Sequence, residues 1–177
     1  MPVTMNNLDA LRDELPEVAR DLRLNLQSVL QADKLTPEQT WGVALASAYF
    51  VRDAELIDAV LGDAKEAGID DAVIEDARAA AALMGMNTMY YRFRHLVSNS
   101  NYNQVAPRLR MQRMGQPATD ATTFELFAMA AAVLSGCQMC INAHESKLRK
   151  GEMTEEEIHE AVRIAAVVHG VAVAKRI

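Results

Sequence analysis

The chain has 177 residues, half of them hydrophobic, and a formal net charge of −6, which is enough for one domain with a sizeable core. Its basic residues do not gather into a stripe interleaved with aromatics, which argues against a nucleic-acid partner. No apolar run approaches eighteen residues without a charge, and the opening residues lack a basic stretch, an apolar run and a small-residue cleavage site, which argues against a membrane span or an export signal. We therefore expect a single cytoplasmic domain over residues 1–177. Alanine, leucine, methionine and glutamate are plentiful and few stretches alternate apolar with polar residues, so the predicted class is an all-α bundle of about eight helices.

Taken in order, residues 5–31 carry a helical pattern with Pro16 inside it, predicting two short helices or one kinked one, with Leu8, Leu11, Leu15, Val18, Leu22 and Leu26 on the apolar face. Thr36-Pro37-Glu38-Gln39 is a helix start that runs to about Arg52, and Asp53 opens another that ends at Gly68. Asp70 or Asp71 caps a long helix reaching about His95. The methionines at 84, 86 and 89, with Tyr90, Tyr91 and Phe93, are read as core and subunit interface, and Arg92 and Arg94 as possible partner contacts. Residues 97–116, rich in Ser and Asn with Pro107 and Gly115, predict a loop interrupted by short helix and a boundary between two halves. Thr119 or Asp120 starts the next helix, residues 137–150 follow as another, and Thr154 with Glu157 forms a capping box for a last helix through Ile158, Ile164 and Val168.

A faint internal repeat runs at an offset of 84. It aligns Ile74-Glu75-Asp76-Ala77 with Ile158-His159-Glu160-Ala161, and Ala48 with Ala132. At that offset Asp53 stands opposite Cys137, Leu56 opposite Cys140, Val60 opposite His144 and Trp41 opposite Glu125. We accordingly read residues 1–96 as a structural half and 117–177 as the half that carries chemistry.

That chemistry centres on Phe124–Glu145, FELFAMAAAVLSGCQMCINAHE, which holds the only two cysteines. It reads as an apolar helix, a break at Ser135-Gly136, and a helix opening on Cys137 and Cys140 with His144 one turn later. Side chains three, four or seven apart share a helix face, so the two thiols and the imidazole line one stripe. The first turn of a helix favours a thiolate. Glu125 is the one acid in the apolar run 124–134, and a carboxylate placed there needs a partner. In a reducing compartment such a cysteine pair is redox-active or metal-binding rather than a staple. The metal reading would need Cys137, Cys140, His144 and Glu125 as an uncommon zinc set. His95, His159 and His169 have no thiol at helical spacing and are read as structural.

Glu125, Cys137-x-x-Cys140 and His144 resemble the alkylhydroperoxidase D family, within the wider group that includes carboxymuconolactone decarboxylases. The likeness extends to Asp21-Leu22-Arg23-Leu24-Asn25-Leu26, Gln39-Thr40-Trp41-Gly42, Met84-Gly85-Met86-Asn87 and Ala143-His144-Glu145. It implies an all-α subunit, commonly a homotrimer, whose cysteine pair reduces organic hydroperoxides, serves as reductant for a partner peroxiredoxin and is recharged by a dihydrolipoyl group on a 2-oxoacid dehydrogenase component. No bound cofactor or metal is implied beyond the redox-active Cys137–Cys140 disulfide. Carried over, Cys140 resembles the peroxidatic thiol, Cys137 the more exposed partner that closes the disulfide, and Glu125 with His144 a proton relay. Where family members often have histidine before the second cysteine, this chain has Met139. Two other readings stay open: a protein-disulfide reductase or adaptor for a peroxiredoxin, and a redox- or zinc-controlled interaction protein.

Overall fold

The computed structural model describes residues 5–31 and 33–177. Residues 1–4 and 32, which the single-domain and no-leader readings include, lie outside the described residues. Among those described there are nine α-helices, two short 3-10 segments and no strand, so the all-α bundle is borne out. The helices are α1 (Asn6–Asp13), α2 (Arg20–Val29), α3 (Pro37–Val51), α4 (Ala54–Glu66), α5 (Asp71–Leu96), α6 (Gln112–Gly115), α7 (Ala121–Ser135), α8 (Gln138–Lys150) and α9 (Glu155–Ala174). None is long and apolar enough to cross a membrane.

Local chemistry sets the boundaries. Thr36 and Thr154 each form a full capping box with Gln39 and Glu157, while Asp53, Asp70 and Asp120 cap α4, α5 and α7 through backbone N–H groups. The repeat is sharper in space than in sequence: α7, α8 and α9 begin 84 residues after α3, α4 and α5. The left-handed turns recur at the same interval, Arg52 with Gly136 and Gly68 with Glu152. α3 and α7 are the central pair, with unbroken buried runs over 40–48 and 123–132. At their crossing Gly42 leaves room for the fully buried Phe127, whose Cζ lies 2.1 Å from where a β-carbon on Gly42 would stand. α5 and α9 flank this pair, α8 lies on α7 and α5, α1 on α4 and α2 on α9.

The N-terminal stretch breaks at Pro16 into two helices, as expected, but Val18 is not on the apolar face. It sits in the 3-10 turn Glu17–Ala19 and is 84% exposed, because that tighter turn rotates it out of register with Leu15 and Leu22. Arg92 and Arg94 are engaged within the chain, donating to the carbonyls of Ser135 (2.8 Å) and Asn103 (2.7 Å).

The connector between the halves is held by Asp76 of α5. Its fully buried carboxylate accepts from the N–H of Ala118 (3.0 Å) and Thr119 (2.7 Å), the Thr119 hydroxyl (2.7 Å) and Arg113 Nη2 (2.7 Å). Burial pushes this carboxyl up, but those donors and the Arg113 charge outweigh it and hold it below the ordinary aspartate value. Asp76→Asn would place an amide N–H2 against backbone donors and should destabilise the fold by about 1–3 kcal/mol in urea titration at pH 7. A carboxyl lowered by folding contributes stability above its unfolded value and loses it as pH falls through the folded one. The gap between wild type and variant should therefore close below about pH 4.

Candidate active site

The site forms where α7 turns into α8. Gly136 takes the left-handed conformation (φ 67°) that ends α7, and Arg92 from α5 holds the turn through the Ser135 carbonyl. The chain re-enters a helix with Cys137 at the N-cap, the place that Asp53 occupies in the first half. Cys137 Sγ accepts from the N–H of Cys140 at 3.4 Å, much as the Asp53 carboxylate accepts from that of Leu56 at 2.9 Å. The helix N-terminus thus acts directly on the Cys137 sulfur. The two cysteines form a disulfide, with Cα atoms 5.3 Å apart.

Of the residues singled out in sequence, the structure brings Cys137, Cys140, His144 and Glu125 together. Glu125 projects from the first turns of α7 into the interface with α8, where His144 Nδ1 donates to its Oε2 at 2.5 Å. This pairing places the ring proton on Nδ1 and leaves Nε2 as the free acceptor. The second carboxylate oxygen, Oε1, accepts from Lys147 Nζ at 2.6 Å. Burial raises the Glu125 carboxyl, and the hydrogen bonds and charges of His144 and Lys147 outweigh it, so the group is held below the usual glutamate value and is ionised at neutral pH.

One expectation is corrected. Cys137 is not the more exposed cysteine: it is 0% exposed and Cys140 6%. Both cysteines belong to a small buried cluster with Met84, Ala128, Ala131 and Ala132, against which Phe50 and Tyr91 pack, and the N-cap position keeps Cys137 off the cavity surface that Cys140 reaches. Cys140, one turn on, lines a cavity of about 360 Å³ together with His144 and Lys147. The opposite wall is Met84, Asn87 and Tyr91 of α5, and Met111, Met114 and Met139 complete an apolar lining. Met84 and Tyr91, read as core and interface, are thus cavity wall as well, whereas Met89 and Phe93 are exposed. His95, His159 and His169 do not line this cavity. No group of three or more His, Cys, Asp or Glu that could hold a metal ion is found among the described residues.

Sequence reasoning missed Lys147. Its signal was present, because 137, 140, 144 and 147 continue a single helical stripe, but a lysine near the end of a helix ordinarily faces solvent and favours the dipole. The cavity wall had no comparable signal, since Asn87 and Met114 come to line one cavity with Cys140 only through the packing of distant segments.

The second part of the chain, residues 103–177, matches the carboxymuconolactone decarboxylase family. Proteins named alkyl hydroperoxide reductase AhpD are similar along nearly the whole chain. That of Anaeromyxobacter sp. (strain K) is 52% identical over 169 residues, covering 96% of this chain and 90% of the relative. The protein of that name from Rhodospirillum centenum is 45% identical over 94% of this chain and 89% of its own length. The one from Brucella anthropi is 42% identical over 95% of each. With a helical bundle, a cysteine pair opening α8 and this likeness from end to end, the chain belongs to the AhpD family.

Proposed function

We propose that this protein is a thiol-dependent alkyl hydroperoxide reductase in which Cys140 is the peroxidatic thiol, Cys137 the resolving thiol, and His144 with Glu125 the proton relay. The observation that carries the reading is the setting of Cys140: it lines an apolar cavity beside an imidazole whose Nδ1 is tied to a buried carboxylate. The names of the relatives agree with it.

In the reduced enzyme, His144 Nε2 takes the proton of Cys140, and the thiolate attacks the terminal oxygen of the hydroperoxide. The O–O bond breaks, the alkoxide leaves as the alcohol with the proton returned by His144, and Cys140 becomes a sulfenic acid. Cys137, whose thiolate the N–H at the start of α8 stabilises, attacks the Cys140 sulfur. The S–O bond breaks, hydroxide leaves as water with the Cys137 proton, and the disulfide forms. Two thiols have reduced one hydroperoxide to an alcohol and water. A dithiol of the dihydrolipoyl class then reduces the disulfide and is itself oxidised to the cyclic form. The mostly apolar lining suits organic hydroperoxides over hydrogen peroxide. We extend the proposal to a homotrimer, a peroxiredoxin partner and a lipoylated 2-oxoacid dehydrogenase component as source of the dithiol.

A second reading, a disulfide reductase serving a peroxiredoxin, is favoured by Met139, which lines the cavity with a thioether that carries no proton. Mass spectrometry and thiol counting separate the two. One equivalent of cumene hydroperoxide should convert both thiols of the reduced protein to one internal disulfide, and dihydrolipoamide should restore them. If both thiols survive the hydroperoxide yet reduce a peroxiredoxin disulfide, the second reading takes its place.

A further inference from the structure

The carboxylate of Glu125 has two oxygens and two partners. His144 occupies Oε2 and Lys147 occupies Oε1, at 2.5 and 2.6 Å. The three side chains differ in access: those of Glu125 and His144 are 11% and 6% exposed, whereas that of Lys147 is 53% exposed. Lys147 lies on the α8 stripe of Cys140 and His144 and lines the same cavity. The relay described above uses the imidazole and the carboxylate alone, and leaves this ammonium without a task.

We propose that Lys147 is a positioning residue of the peroxidase centre, its ammonium keeping Glu125 charged so that the His144 ring stays oriented with Nε2 free to deprotonate Cys140. The proposal rests on the thiol-peroxidase reading of the same site. Its physical basis is the cost of a charge in an apolar helix interface. Glu125 sits in the unbroken buried run of α7, and α3, α5, α6 and α9, which pack on that helix, bring it no hydrogen-bond or ion-pair partner among the described residues, Arg113 of α6 being paired with Asp76. Both stabilising groups come from α8. His144 alone offers a neutral donor unless it is protonated, and protonation would end its use as a base. Lys147 supplies a full positive charge that does not depend on the state of the imidazole, so Glu125 can stay ionised while His144 is neutral. The part-exposed position of Lys147 also lets that charge be delivered without burying an ammonium, which would be costly.

The sign of the effect follows. Glu125 must be ionised to hold Nδ1–H and the imidazole unprotonated to act as base, so the acid limb of activity belongs to this hydrogen-bonded pair. Removing the ammonium leaves burial in place with one stabilising partner gone, so Glu125 binds its proton more tightly and the acid limb moves to higher pH.

The test is the rate of thiol oxidation by cumene hydroperoxide from about pH 3.5 to 8.5 in full-length wild type, Lys147→Met and Lys147→Arg, with the circular dichroism of each recorded at every pH. Lys147→Met should shift the acid limb upward by about one unit, making the variant about tenfold slower on that limb with little change on the plateau, and Lys147→Arg should restore the wild-type limb. Superimposable limbs would overturn the proposal. So would a loss in Lys147→Met that is equal at every pH, the result expected of a merely structural residue. If wild type itself fails to react with hydroperoxide, the peroxidase reading falls, and the pH profile of Cys140 alkylation by iodoacetamide replaces it as the readout. That profile depends on the same base, and should show the same shift and the same rescue by arginine.

Discussion

Under the proposed mechanism Cys140→Ser should lower hydroperoxide turnover by about a thousandfold or more, since the variant retains the cavity and the His144–Glu125 pair but lacks the sulfur assigned to attack the peroxide oxygen. Turnover is measured as alcohol formed from cumene hydroperoxide with dihydrolipoamide as reductant. The companion variant makes the expectation specific. Cys137→Ser should still consume one equivalent of hydroperoxide, because Cys140 keeps its place on the cavity beside His144, but it should then stop. With no resolving sulfur, the sulfenic acid persists and proceeds to sulfinic acid under excess peroxide, visible as mass gains of one and then two oxygens. The opposite pattern, with Cys140→Ser oxidised once and Cys137→Ser inert, would exchange the roles of the two cysteines. Burial argues against that pattern, because Cys137 is 0% exposed and Cys140 is the cysteine that lines the cavity.

The second large effect is on stability. Phe127→Ala should cost about 3–5 kcal/mol in urea titration, the range for deleting a buried aromatic ring. The ring is fully buried and fills the space that Gly42 leaves on α3, so its removal opens a void at the crossing of the two central helices. The same crossing sets the height of α7 against α3, and with it the position of Glu125 two residues before Phe127. Phe127→Ala should therefore also loosen the relay, and a variant as stable as wild type would show that the ring is not the wedge described here.

Much of this was legible in the chain because it is local. Thr36, Asp53, Asp70 and Thr154 announce helix starts by side-chain chemistry that acts within three residues, and each start lies where its cap predicts. The stripe of Cys137, Cys140 and His144 is equally local, a matter of helical spacing. Glu125 was singled out by contrast, one acid among apolar neighbours, and the partner it required is His144 on the next helix. What could not be read depends on packing between distant segments. Cys137 is buried in a cluster that includes Met84, with Phe50 packed against it, both more than fifty residues away. Lys147 carries the pattern of a solvated terminal lysine, and only the docking of α8 on α7 brings its ammonium to Glu125. Val18 was misplaced because a helical period was carried through a turn that is not α-helical.

The two parts of the site are made by contacts of very different range. Glu125 and His144 are separated by 19 residues and belong to one helical hairpin. The cavity wall needs Asn87 and Met84 of α5, some fifty residues before Cys140, and Met111 and Met114 between them. Closing that longer loop is the entropically harder step. The hairpin can therefore pair its acid and base early in folding, while a shaped space over the sulfur exists only once α5 has docked. In a chain that is still folding, or that heat has partly opened, the thiols are unsheltered and have no recess to select what reaches them. On the proposed reading, selectivity for substrate is a late product of assembly, and it should be the first property lost as the bundle loosens.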